Sequence, residues 1–268
     1  MSIERRPDHG KAKITEIRQR ASGEHIGGEL PQVDAYAFTF PQRVNMFNLA
    51  REAWDSVFDP EVMLHDLSPS QTGEEKVKKR ASLKEIRKYG LILKTGYLLF
   101  DDRHLAPPNH HKLMKDIGTL NDTFSMPGAE ERGREIARYV QEEYPARGAY
   151  LDFKPASDAS FRENVEEYMD HLRGGVRESI VPISSFHTMR KSVRHFMNLF
   201  QLAGALEPTE ENVKMFRHLA DLSKTMGDQH DLFVQQDYRG IIDYGSAYTR
   251  IRPGLQEDLI RTLGALNA

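Results

Sequence analysis

The side chains with most to offer chemically are two groups of cations, Lys84, Arg87 and Lys88, and His187, Arg190, Lys191 and Arg194. On a helix, positions i, i+3 and i+4 bring Cβ atoms to about 5–6 Å of one another. Like charges held so close repel, and salt screens them only in part. Such a group is either solvated or supplied with an anion. Arg can grip two oxygens of one oxyanion at once, whereas Lys acts as a mobile point charge. A histidine among them is partly charged near neutrality and gains charge when an anion arrives. The chemistry on offer is oxyanion binding. The competing reading is a solvated helix face, with Glu74 and Glu85 as the neutralising partners.

Helices must carry these groups, and the sequence supplies two that match. Leu83, Ile86, Gly90, Leu93 and Tyr97 align without gaps on Phe186, Met189, Val193, Phe196 and Phe200, each set stepping by three and four along one helix side. The cations align with them, Lys84, Arg87 and Lys88 falling on His187, Arg190 and Lys191. In a second block, Leu113, Lys115, Gly118, Asp122 and Phe124 match Leu222, Lys224, Gly227, Asp231 and Phe233 identically. A shared Gly-x-x-x-Asp beside a shared apolar stripe predicts an internal duplication. Gly90 costs about 1 kcal/mol against Ala in a helix, so it marks a close crossing. Gly118 and Gly227 mark either close approach or a helix break, and Asp231 is expected to position a motif arginine.

The resulting expectation is an all-α, internally duplicated helical bundle, with halves over about 42–150 and 151–268 of about four helices each. Residues 1–41 read as a flexible N-terminal arm, because no apolar period is sustained there. Helices are predicted at 43–58, 75–100, 110–124 and 130–143, then 161–172, 185–202, 209–244 (with a break near Gly227) and 255–266. Residues 145–157, with Pro145, Gly148 and Pro155, read as the linker between halves, and Gly174–Gly175, Gly204 and Pro208 as stops. The best strand pattern is 36–40.

Composition narrows the function classes. A net charge of −3 means that any anion-binding surface must be local. With no cysteine, disulfides, thiolate zinc sites and thiol nucleophiles are excluded, which suits a reducing cytoplasm. No apolar stretch reaches the roughly 18 residues a membrane span needs. Neither a phosphate loop nor a Gly-x-Ser-x-Gly elbow is found. The chain is therefore not expected to be an enzyme or to need a cofactor or metal. Two His-Asp pairs, His65-Asp66 and His230-Asp231, leave open a metal-dependent HD-type phosphohydrolase, with His195, His218 and Asp237 as further ligands. His110-His111 reads as surface. A helical protein-interaction module, docking through 130–143 and 163–170, is the other alternative.

Residues 186–200 (FHTMRKSVRHFMNLF) and 225–233 (TMGDQHDLF) resemble the two motifs of the CHAD family, the conserved histidine α-helical domain. His187, Arg190, Lys191 and Arg194 stand in the places of its His-x-x-Arg helix, and Met226 where Leu is usual. Residues 83–90 (LKEIRKYG) and 117–124 (IGTLNDTF) look like the counterparts in the first half, with Lys84 where histidine is expected and Leu91 opposite Arg194. The resemblance implies non-catalytic binding of inorganic polyphosphate, or a similar polyanion, through a basic surface formed by the two duplicated helices. Lys94, Lys112, Lys115, Lys214 and Arg217 are secondary candidates, and Arg147 a control outside the site.

Overall fold

The structure, a computed structural model, describes residues 9–22, 29–68, 72–124, 128–144 and 153–266. These are overwhelmingly helical: α1 (His9–Ala21), α2 (Phe40–Val57), α3 (Pro60–Leu67), α4 (Gly73–Phe100), α5 (Pro108–Thr123), α6 (Ala129–Glu142), α7 (Asp158–Val176), α8 (Ile183–Leu206), α9 (Glu210–Tyr238) and α10 (Pro253–Leu266). Two three-residue strands, β1 (Ile180–Pro182) and β2 (Tyr248–Arg250), pair antiparallel with Val181 opposite Thr249. The fold is all-α.

The chain divides into two compact units, one of Met1–Lys13 with Arg43–Ala156 and one of Ile14–Gln42 with Ser157–Ala268. In the first unit α4 packs on α5 and α3, and α6 on α3 and α5. Its core is aromatic. Phe47 stacks on Phe153 with centroids 3.6 Å apart and meets Tyr97 edge-on, while Trp54 stacks on Phe58. Trp54, Phe47 and Tyr97 are fully buried, and each such side chain removes enough apolar surface to stabilise by about 1.5–3 kcal/mol. Gly90 is the point of closest approach within this core. A Cβ there would lie 2.2 Å from Met114 Sδ and 2.9 Å from Trp54 Cζ3. We expect Gly90→Ala to cost about 1–3 kcal/mol as the core is overpacked, despite Ala's better helix propensity. A melting temperature equal to or above that of the wild type contradicts this packing.

His110 belongs to the same core, not to the surface expected for it. It is fully buried, with its ring edge-on to Trp54. Nε2–H donates to the Gly90 carbonyl at 2.8 Å, which leaves Nδ1 to accept from the Tyr144 hydroxyl at 3.3 Å. The double proline places His110 within the first turn of α5, facing inward, while His111 next to it is exposed.

In the second unit α8 packs along α9 and against α7, with α10 on α7 and α9. Side-chain caps set the starts of α7 and α9. Ser157 accepts from the Ser160 amide at 3.1 Å, and Thr209 from the Asn212 amide at 3.2 Å.

Several boundaries differ from the sequence reading for identifiable reasons. The expected arm contains α1, because Gly10, Ile14 and Ile17 share a helix side. Gly10 lies against the Leu49 carbonyl and the Ala53 amide, and Ile14 and Ile17 are buried. Residues 1–8 and 23–28 of the arm lie outside the described residues. Residues 36–40 form no strand. Gly174 and Gly175 do not stop α7. A Cβ on Gly175 would collide with Met189, so that glycine serves packing. Likewise α8 runs through Gly204 and α9 through Gly227, ending at Tyr238. Of the expected linker, 145–152 lie outside the described residues, and 153–156 are docked within the first unit. There Ala156 N–H donates to the Phe100 carbonyl at 2.7 Å, and the buried Asp101 carboxylate accepts from Lys154 N–H at 2.9 Å.

Candidate functional site

Within the first unit the cations form a stripe on α4. Lys84 is exposed and Arg87 half-buried. The Arg87 guanidinium lies directly on the backbone of Gly118 in α5, where a Cβ would fall 2.7 Å from Nη2 and 2.9 Å from Cζ. Gly118 therefore makes room for a side chain and breaks no helix. Among the described residues neither Lys84 nor Arg87 has a carboxylate partner, and Arg87 Nε is buried without an acceptor. Lys88 lies over the Tyr89 ring, 4.5 Å from its centroid. The acids that a solvated face would have used are engaged elsewhere. Glu85 pairs with Lys11 at 3.0 Å and Glu74 with Lys78 at 2.7 Å.

The stripe continues upstream to residues that sequence reasoning passed over. Arg80 donates to the Asn121 carbonyl at 3.2 Å, and Lys76 and Arg80 both approach the Phe124 ring. The side-chain amide of Asn121 is buried with both polar atoms unpartnered among the described residues. Spacing could have found these groups, since Lys76, Arg80, Lys84 and Arg87 step by four, four and three along α4.

In the second unit Arg190 stands near Gly227 as Arg87 does near Gly118, though less tightly, a Cβ on Gly227 meeting Arg190 Nε and Nη2 at 3.9 Å. Around it are His187, Lys191 and Arg194, all on α8. Mutual repulsion shows in their ionisation. Lys191 keeps solvent contact, yet partial burial and the neighbouring Arg194 and Arg190 hold its ammonium below the usual lysine range. It has no carboxylate partner among the described residues.

His187 departs from its expected role as a cationic contact. Burial, followed by Lys191, His230 and the two arginines, pushes it down to about 3, so it is neutral near physiological pH. Its Nδ1 lies 2.9 Å from His230 Nε2, which in turn lies 2.8 Å from the Tyr244 hydroxyl. Burial and Arg190 likewise lower His230, with Asp231 opposing them. His230 and Tyr244 were not foreseen as part of this group. The signal lay in Gly-x-x-His, which places His230 on the same face of α9 as Gly227.

Asp231 positions no arginine. Its carboxylate is 70% exposed, and its described partner is His230 Nδ1 at 3.6 Å. Asp122 is exposed as well. Most secondary candidates are committed elsewhere. Lys112 pairs with Asp116 at 2.8 Å, Lys214 pairs with Glu210 at 2.5 Å, and Arg217 donates to the Ala21 and Arg20 carbonyls at the end of α1. Lys115 is exposed and Lys94 half-buried on their own helices. Arg147 lies outside the described residues.

The groups considered for a metal site do not converge. His218 Nε2 meets Thr262 Oγ1 at 2.8 Å, His195 lies against the Tyr168 ring, and Asp237 accepts from the Tyr244 amide at 2.9 Å. His65 is exposed at the end of α3. Among the described residues no three such side chains come together to hold a metal ion, and no helix is long and apolar enough to cross a membrane. Compared with known proteins, the chain matches no family model, no curated protein and no solved structure.

Proposed function

We propose that the chain binds inorganic polyphosphate or a similar polyanion without turning it over, as a divergent CHAD-type protein of the cytoplasm. One observation carries this reading. Lys84 and Arg87 on α4 and Lys191 on α8 are cations with no carboxylate partner among the described residues, while the nearest sequence candidates, Glu74 and Glu85, pair with other lysines. Arg87 Nε is buried with no acceptor and lies out of a ligand's reach, so a phosphoryl oxygen would meet the solvent-facing part of the half-buried side chain, through a charge-assisted hydrogen bond of about 1.5–3 kcal/mol. The recurrence of an arginine beside a helical glycine in each unit supports the duplication, and with it a ligand that repeats its charge. Chain acidity is no obstacle, because α4 and α8 each carry a local run of cations.

Retention on immobilised polyphosphate, with DNA and heparin as competitors at equal charge, tests the reading. Retention at low salt that DNA and heparin displace poorly is the expected result. No retention at low salt overturns it. The interaction-module reading then stands, favoured by the exposed Leu232, Val234, Tyr238 and Ile241 along the end of α9 and just beyond it.

A further inference from the structure

Along α8 the surface around Lys191 carries no acid. Its neighbours one helical turn away are His187 and Thr188 on one side and Arg194 and His195 on the other, with Arg190 next to it in sequence. Lys191 is exposed, whereas His187, Arg190 and Arg194 are half-buried beside it. We propose that Lys191 Nζ is an acylation site whose donor is an acyl phosphate, drawn in by the charges of Arg190 and Arg194. Acylation removes one cation from α8. Only the consequence of that loss, a weaker hold on a polyanion, rests on the reading above; the acyl transfer itself does not.

The position suits the chemistry in three ways. No carboxylate pairs with Lys191 among the described residues, so no ion pair holds the proton on its amine. The donor is an anion, which two guanidiniums on the same helix attract. The amine must be neutral to attack, and partial burial, then Arg194 and Arg190, hold its ammonium below the usual lysine range. The helices packed on α8 direct their polar groups to other residues. From α7, His171 meets Ser192 and Tyr168 meets His195. From α9 and the segment after it, His230 meets His187, while Asp231 and Tyr244 meet His230. Lys224 offers the contrast within the same unit. It is an exposed lysine on α9 with Asp221 and Asp228 one turn to either side.

The step needs no oxidant or reductant. The Nζ lone pair attacks the carbonyl carbon, and the C–N bond forms as the C–O bond to phosphate breaks. The electron pair leaves on the phosphate, which takes up the proton shed by Nζ and departs as hydrogenphosphate. A neutral amide replaces the ammonium.

The test incubates the full chain with acetyl phosphate from neutral to mildly alkaline pH. Remaining amines are then capped with deuterated acetic anhydride under denaturing conditions, so that mass spectrometry reads the acetylated fraction of each lysine. Lys191 is expected to react about tenfold faster than Lys224, the scale on which clustered cations concentrate an anion. N-acetoxysuccinimide, an uncharged acetyl donor, should show a smaller preference, because the arginines draw only the phosphate. Arg194→Gln should slow the reaction of Lys191 several-fold and move its pH profile upward. Arg194→Lys, which keeps the charge, should restore both, a rescue that a purely structural role would not produce. Lys191→Gln, which carries the neutral amide of the acylated state, should be retained more weakly on polyphosphate. Lys191 reacting no faster than Lys224 overturns the inference, and so does an equal preference with both donors. Either result beside normal polyphosphate retention leaves the binding reading intact. Selective acetylation of a chain that polyphosphate does not retain sinks the binding reading and keeps the acylation site.

Discussion

Arg190→Glu is expected to weaken polyphosphate binding by about 10- to 100-fold, and Arg87→Glu to do the same, because each removes a charge-assisted contact and adds repulsion. Arg134→Glu, at an exposed position on α6, should change affinity by no more than about twofold. The contrast matters more than either loss. A chain that attracts polyanions only by overall charge would respond alike to all three substitutions, and equal losses would remove the case for a defined site. Arg87 is the more telling position. Its guanidinium is fixed on Gly118 and has no described acid to release, so the effect of reversal reads on the ligand.

The second large effect is acid lability of the first unit. Burial pushes His110 down to about 4 in the fold, against about 6.5 for a free histidine. Between those values the unfolded chain holds more protons than the folded one, so stability rises with pH across that window. The contribution is fully present above about pH 6.5 and is lost as the pH falls toward 4. About 3 kcal/mol is at stake, since every tenfold loss of proton affinity on folding corresponds to about 1.4 kcal/mol. His187 and His230 are lowered in the same direction and add acid sensitivity in the second unit. Urea unfolding followed between pH 7 and 4.5 checks this, with tryptophan fluorescence reporting on the first unit through Trp54, the sole tryptophan. His110→Phe should flatten the dependence there, even if it lowers stability at pH 7. A slope unchanged by that substitution would place the titrating group elsewhere.

How much of this could be read beforehand depended on the length of each pattern. The long amphipathic helices were legible: 75–100 was expected where α4 runs Gly73–Phe100, and 185–202 where α8 runs Ile183–Leu206. Their apolar residues repeat over enough turns to outvote local breakers. Short elements were not legible. The strands Ile180–Pro182 and Tyr248–Arg250 offer three residues each, and α3 has barely two turns behind Pro60. Glycine misled most. Gly175 and Gly204 read as stops, and Gly227 as either a break or a close approach, yet all three lie within helices. What a missing side chain makes room for, Met189 in one case and Arg87 in another, is a tertiary fact.

For the candidate site, spacing grouped Lys84, Arg87 and Lys88 on one helix and His187, Arg190, Lys191 and Arg194 on another, while Lys76 and Arg80 were passed over although the same spacing holds them. Their ionisation did not follow from spacing. His187 reads as a potential cation until His230 and the burial around it are known. Tyr244 sits in the segment after α9, where no periodicity could assign it to that histidine pair.

The most direct test of the central claim, that cations left without acid partners await a polyanion, is the salt dependence of polyphosphate affinity for the full chain. Each phosphate contact releases counterions, contributing about 0.7 to the slope of log K against log salt for a single-stranded polyanion. With Lys84 and Arg87 of the first unit engaged, the slope should be about −1.4 or steeper, and it should become shallower in Arg87→Glu. Affinity that stays flat as salt is raised would contradict the account.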